Sequence, residues 1–179
     1  MANSGDIIIP QQEIDYIFGM KKQLLFKSEV WERKQKDQPY PYWLELRLPF
    51  MDLDGTSIPQ LRAQFNYRPA RREGLIPSMN FIALYKNRRI FAVDQGQYLK
   101  HINQITQVQP PAESEIYGAH YHILHGNENQ ETGYVLDEKY QKSSDFMEFM
   151  CYFLAKFNTV VEGNIPHPVL SNNGQMELL

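Results

Sequence analysis

Four runs of period-two alternation in the middle of this chain leave little room for anything but a β-sheet. Tyr42, Leu44, Leu46 and Leu48 alternate with Trp43, Glu45 and Arg47, and a strand sends successive side chains to opposite faces. Leu61, Ala63, Phe65 and Tyr67 then alternate with Arg62, Gln64, Asn66 and Arg68. Residues 79–85 and 89–94 form a second pair, joined through Lys86, Asn87 and Arg88, where Asn tolerates the left-handed backbone of a tight turn. Asp52, Asp54 and Gly55 mark the turn inside the first pair, and Arg71, Arg72 and Gly74 a wider connection between the pairs. Short links between consecutive strands predict an antiparallel meander.

Helical spacing flanks this block. Over residues 10–27, Ile14, Ile17, Phe18, Leu24 and Leu25 recur at three- and four-residue intervals behind Pro10, with Lys21, Lys22 and Lys27 toward the C-terminal end, where cations suit the helix dipole. Ser143, Ser144 and Asp145 offer N-caps to a second helix carrying Phe146, Phe149, Met150, Phe153, Leu154 and Phe157. Residues 34–41 and 95–112 read as loops, 115–124 as one strand and 134–136 as a short return strand. The expected class is α+β: a largely antiparallel five- to six-stranded sheet with an N-terminal and a C-terminal helix packed on one face, the other face partly open. Residues 1–9 are expected as a flexible N-terminus, 10–158 as a single α+β domain and 159–179 as a flexible C-terminal tail.

A length of 179 residues suits one domain. The lone Cys151, set among Phe149, Met150, Tyr152 and Phe153, reads as a small buried residue; one cysteine excludes an internal disulfide and a cysteine-type zinc site. A net charge of −3 argues against a surface given over entirely to nucleic acid. The N-terminus lacks the basic and apolar regions of a secretion signal, and no apolar run reaches the ~18 residues of a membrane span. A cytoplasmic protein without membrane contact is the expectation.

The chemistry concentrates in residues 118–125, Gly-Ala-His-Tyr-His-Ile-Leu-His. On a strand, His120 and His122 share a face, roughly 7 Å apart, while Tyr121 and Ile123 take the other. Two imidazoles so placed serve as two ligands to a metal or as an acid and base pair. A metal needs a third ligand: His125 faces the other way, and His101 or Asp94 approaches only if the preceding segments fold back. The cupin pattern wants Glu three or four residues after His-x-His, whereas Gly126 and Asn127 stand there and Glu128 comes one step late. The expectation is therefore no metal and no cofactor. Arg68, Arg71 and Arg72 gather at the end of one strand and in the loop behind it, and guanidinium forks bind phosphate. Histidine with arginine on a small sheet is the equipment of metal-independent RNA cleavage: one His (His120 or His122) removes the 2′-hydroxyl proton, the other protonates the leaving oxygen, Arg68, Arg71 and Arg72 hold phosphate, and Tyr67 meets a base.

Asn66-Tyr67-Arg68, the strand pair from Phe81 to Gly96 with His101, the His120-Tyr121-His122 strand and a closing helix ending at Phe157-Asn158 together resemble a group of small uncharacterised bacterial proteins associated with toxin–antitoxin or mobile defence loci. This chain has Ala92-Val93-Asp94-Gln95-Gly96 where that group tends to carry Arg and Asn before the Gly. The resemblance implies a genomic setting: an RNA- or nucleotide-directed effector, an endoribonuclease or phosphodiesterase, of a toxin–antitoxin or phage-defence system. The alternative is a non-catalytic protein–protein interaction module of such a system, docking through the open sheet face, Tyr42, Trp43 or the N-terminal helix. A metal enzyme is the third reading. RNA or a nucleotide, a partner protein and a second copy of the chain are the partners these readings admit.

Overall fold

The alternating runs form the centre of the fold. A computed structural model of the chain describes residues 7–34 and 41–169. Within them, β3 (Leu44–Met51), β4 (Ser57–Arg68), β5 (Ser78–Tyr85) and β6 (Arg88–Gln95) pair in sequence as an antiparallel meander. The β3–β4 turn is held by Asp52, whose Oδ1 accepts from the amides of Asp54 and Thr56 at 3.0 and 2.8 Å. Lys86 and Asn87 make the β5–β6 turn at φ 49° and 63°, the left-handed pair that suits the strand twist.

The sheet grows beyond the meander on both sides. On one side β9 (His120–His125) pairs with β6 and β10 (Gln130–Val135) with β9; on the other β1 (Lys22–Phe26) pairs with β3, and β11 (Thr159–Gly163) lies parallel to β1. With the short β2 (Glu32–Arg33) on β3, the main sheet has nine strands in the order β10-β9-β6-β5-β4-β3-β1-β11, β2 standing off that path. A separate two-stranded unit joins β7 (Lys100–Ile102) to β8 (Glu115–Tyr117). Nine strands replace the five or six expected, because β1 and β11 are short segments whose pairing partners are distant in sequence and β2 is only two residues long.

Three local corrections follow. The first helix, α1 (Gln11–Gly19), ends at Gly19 rather than near Lys27. Lys22, Leu24 and Phe26 are buried in alternation, so a strand period overlaps the helical one there and pairing to β11 decides between them. Residues 115–124 are two strands, since Gly118 at φ +81° turns the chain between β8 and β9 and sends them to different sheets. Residues 159–163, assigned by sequence to the tail, build β11; Gly163 sits at φ +91° where a Cβ would strike the Phe26 carbonyl. The rest of the expected tail from residue 170, the expected N-terminus at 1–6 and most of the 34–41 loop lie outside the described residues.

One face of the sheet is the core. Leu46, Phe65, Phe81, Val93 and Tyr121 stand in one cross-strand row, and α3 (Phe146–Lys156) lays Phe153 against Phe65, Phe81 and Phe91 at centroid distances of 5.6, 6.3 and 5.3 Å. Asp145 caps α3, accepting from the amides of Met147 and Glu148 at 2.7 and 3.3 Å. α1 joins the same face through Phe18, 5.7 Å from Phe91. A short α2 (Glu138–Gln141) precedes α3. Cys151 is exposed, being one position past Met150 and off the helix's buried stripe. No helix among the described residues is long and apolar enough to cross a membrane.

Candidate functional site

The face opposite the helices carries a polar row. Register places Glu32, Glu45, Asn66, Asn80, Asp94 and His120 beside one another across β2, β3, β4, β5, β6 and β9. The side chains are joined: Lys34 Nζ donates to Asn66 Oδ1 at 3.3 Å, Asn66 Nδ2 to Asn80 Oδ1 at 3.0 Å, and Asn80 Nδ2 to Asp94 Oδ1. Asp94 Oδ2 then accepts from His122 Nε2 at 3.0 Å, with His120 Nε2 3.8 Å from the same oxygen. Asn66, Asn80 and Asp94 thereby find partners on neighbouring strands, whereas Glu45 Oε2 is buried without a hydrogen bond, 3.9 Å from Lys34 Nζ.

His120 and His122 share this face as the alternation predicts, their rings 4.7 Å apart, and they are 3% and 2% exposed. His101 on β7 completes a cluster, 5.5 Å from the His120 ring and 4.5 Å from that of His122. One ring nitrogen from each of the three lies within 4.8 Å of those of the other two. Their hydrogen-bond partners assign the tautomers. His120 Nδ1 must donate to the Gly118 carbonyl at 2.7 Å, which leaves Nε2 bare in the neutral ring. His101 Nε2 meets Asn103 Oδ1 at 3.0 Å; that oxygen accepts from the Gly133 amide at 2.7 Å, so His101 donates too and its Nδ1 is bare. His122 donates to Asp94, and its Nδ1 is buried without a hydrogen-bond partner, 3.9 Å from Glu131 Oε2.

Electrostatics favour neutral His101 and His120 rings beside an ionised carboxylate. Burial pushes His120 and His101 below the usual imidazole value, and the charge His122 would carry adds to this for both. Burial also pushes the Asp94 carboxyl up, but hydrogen bonds from His122 and Asn80 and the nearby imidazoles outweigh it and hold Asp94 below the ordinary carboxylate range. Arg89 closes the other flank, paired with Glu131 through Nε at 2.6 Å.

The β7–β8 unit is fastened over this centre by Asn103, which is 7% exposed. Its Nδ2 donates to the Gly133 carbonyl at 3.0 Å while its Oδ1 takes the Gly133 amide. A Cβ at Gly133 would come within 2.8 Å of His101 Cδ2, so the glycine is what lets the His101 ring lie against β10.

The expected phosphate-binding residues are elsewhere. Arg68 shares the polar face, but it stands three strands from β9, about 14 Å at the usual strand spacing, with its Nε bonded to the Pro41 carbonyl at 2.9 Å and its guanidinium over Trp43. Arg71 and Arg72 are exposed in the β4–β5 loop. Tyr67 points into the helix-covered face, 6.1 Å from Phe146, and burial raises its phenol. Of the sequence-derived site, the structure therefore assembles His120 and His122 with Asp94 and His101, both named as approaching from the preceding segments, and leaves out Arg68, Arg71, Arg72 and Tyr67. His125 sits on the opposite face, as the alternation requires, 3.4 Å from the Tyr134 hydroxyl. Asn80, Asn103 and Glu131 carried no local signal, since each matters through a partner on another strand. Comparison with protein-family models, with curated proteins and with solved structures returned no match.

Proposed function

We propose that this protein acts on the phosphodiester bonds of RNA or a nucleotide, as the effector of a toxin–antitoxin or phage-defence type system, with the centre formed by Asp94, His101, His120 and His122 as its reacting site. The observation that carries this reading is the Asp94 carboxylate holding His122 at 3.0 Å with His120 Nε2 3.8 Å from the same oxygen. A carboxylate fixes the tautomer and aim of an imidazole and stabilises its protonated form, which is what proton transfer to and from a reacting oxygen requires. Substrate would approach past the half-buried His101 and Asp94, because His120 and His122 lie beneath the β7–β8 unit. Arg89, beside the centre, takes the place in this reading that Arg68, Arg71 and Arg72 hold in the sequence-based one. Incubating purified protein with total RNA and with linear and cyclic nucleotides tests it. Cleavage by wild type, lost in Asp94→Ala, supports the reading; intact substrates together with equal toxicity of wild type and His120→Ala on expression would sink it.

A second reading, an interaction module, draws on a different observation. Tyr98, Ile102 and Tyr117 are 90%, 53% and 61% exposed on and beside the β7–β8 unit, and exposed apolar side chains grouped on one element suit a protein partner. Tyr42 and Trp43, the anchors suggested by sequence, are half-buried, with Arg33 and Arg68 against their rings. A partner that tolerates His122→Ala and is lost on Tyr117→Ala would favour this reading over catalysis.

A further inference from the structure

We infer that His101, His120 and His122 form a binding site for one divalent first-row transition-metal ion, zinc being the best match. It goes beyond the reading above, on which it rests only in placing phosphodiester chemistry at this centre: here the imidazoles act as ligands rather than as acid and base. His101, His120 and His122 each commit one ring nitrogen to a fixed acceptor and leave the other without an N–H, and one ring nitrogen from each lies within 4.8 Å of those of the other two. Histidines that merely fill a core satisfy both nitrogens, whereas His122 Nδ1 has no partner although the residue is 98% buried. The partners of the N–H groups are the kind that metal-bound histidines use: a backbone carbonyl for His120, a carboxylate for His122 and a side-chain amide for His101.

Donor type selects the ion. An all-imidazole set with no thiolate and only nearby carboxylate suits zinc, nickel, copper or iron over magnesium and calcium. Tetrahedral coordination at the usual zinc–nitrogen length needs nitrogens about 3.4 Å apart, against the 4.8 Å limit seen here, so the rings close by about 1.4 Å or less. Two of the three ligands sit on one strand, and the third comes from the β7–β8 unit. Three imidazoles leave a fourth position for water, whose pKa a bound zinc ion lowers toward neutrality, which fits hydrolysis of a phosphodiester.

The test uses the full chain, purified without an affinity tag, stripped with chelator and titrated with Zn2+ or Co2+. One ion per chain by elemental analysis, with the absorption of four-coordinate Co2+, is the expected result. His101→Ala, which leaves the nine-stranded sheet untouched, should abolish that absorption, and His125→Ala and His167→Ala should leave it unchanged. Gly133→Ala keeps every ligand but pushes the His101 ring away, so zinc affinity should fall about 10- to 100-fold while the far-ultraviolet circular dichroism stays that of wild type. Wild type that takes up less than about one tenth of an ion per chain, or binding that survives His101→Ala undiminished, overturns the inference. Metal binding without cleavage of any phosphodiester defeats only the functional reading, and cleavage by a protein that takes up no metal defeats only this one.

Discussion

Lys22 opens β1 with a fully buried side chain, and its replacement by methionine isolates one electrostatic contribution to stability. The ammonium donates to the carbonyls of Ile17 and Met20 at 2.6 and 2.8 Å, capping the C-terminal turn of α1, and lies 4.2 Å from the centre of the Phe157 ring. Burial pushes its pKa from 10.5 to about 8. The unfolded chain therefore binds more protons than the folded one between pH 8 and 10.5, and stability rises with pH across that window; well below pH 8 both states are protonated and the slope vanishes. Integrating from pH 7 to 9.5 gives about 2 kcal/mol as an upper bound, of which the carbonyl bonds, the aromatic ring and solvent screening leave about 1–2 kcal/mol. Urea denaturation at both pH values reads this directly: the wild-type midpoint should move up relative to that of Lys22→Met by about 0.5–1 M, at a typical slope of about 2 kcal/mol/M. Staying below pH 10 avoids the tyrosines, which burial holds neutral in the fold and which lower stability once the unfolded chain ionises. A difference between the two proteins that stays constant from pH 7 to 9.5 would refute the reasoning.

Three further substitutions probe the sheet and its polar face. Gly163→Ala should cost at least about 2 kcal/mol in urea denaturation, since it needs positive φ and drives a Cβ into the Phe26 carbonyl; an unchanged midpoint would mean that β11 is not part of the cooperative fold. Asp94→Asn removes the charge that receives bonds from His122 and Asn80, and a loss of about 1.5–3 kcal/mol is expected by thermal or urea unfolding, against less than about 0.5 kcal/mol for Asp54→Asn in an exposed turn. Asn103→Ala leaves the Gly133 amide and carbonyl without their partner, so that amide should exchange with solvent at least about tenfold faster while amides of β4 and β5 stay protected; equal protection at Gly133 would show that the clasp is dispensable.

The meander was legible because its signal is local. Each of β3 to β6 alternates over at least six residues and meets its neighbour through a short turn, so the period and the turn chemistry agree. α3 was legible for the same reason, its cap and its aromatic stripe lying within one fifteen-residue window. Lys22–Phe26 and Thr159–Gly163 were not: five residues each, they become strands because they pair with one another from opposite ends of the chain. The centre divides along the same line. His120 and His122 share a face by the geometry of any strand, whereas the meeting of His120 with Asp94 depends on β9 skipping the β7–β8 excursion to pair with β6. The arginines failed for a complementary reason. Arg68, Arg71 and Arg72 are close in sequence, but the loop that carries them opens at an end of the sheet, while the centre lies three strands away.

That separation gives the polar row its physical meaning. A carboxylate in a largely buried face is costly unless fully bonded, and Asp94 is bonded on both sides: toward β5 by Asn80, which is itself held by Asn66, and toward β9 by His122. Amides are suited to this relay because each both donates and accepts, so direction is preserved from Lys34 to the centre without adding charge along the way. Fixing one Asp94 oxygen from β5 leaves the other to orient His122, and with it the ring whose second nitrogen is unpartnered. The meander thus supplies a rigid carboxylate, β9 the paired imidazoles and the β7–β8 unit the third ring, and what the centre does depends on how closely Asn103 and Gly133 let that third ring approach the other two.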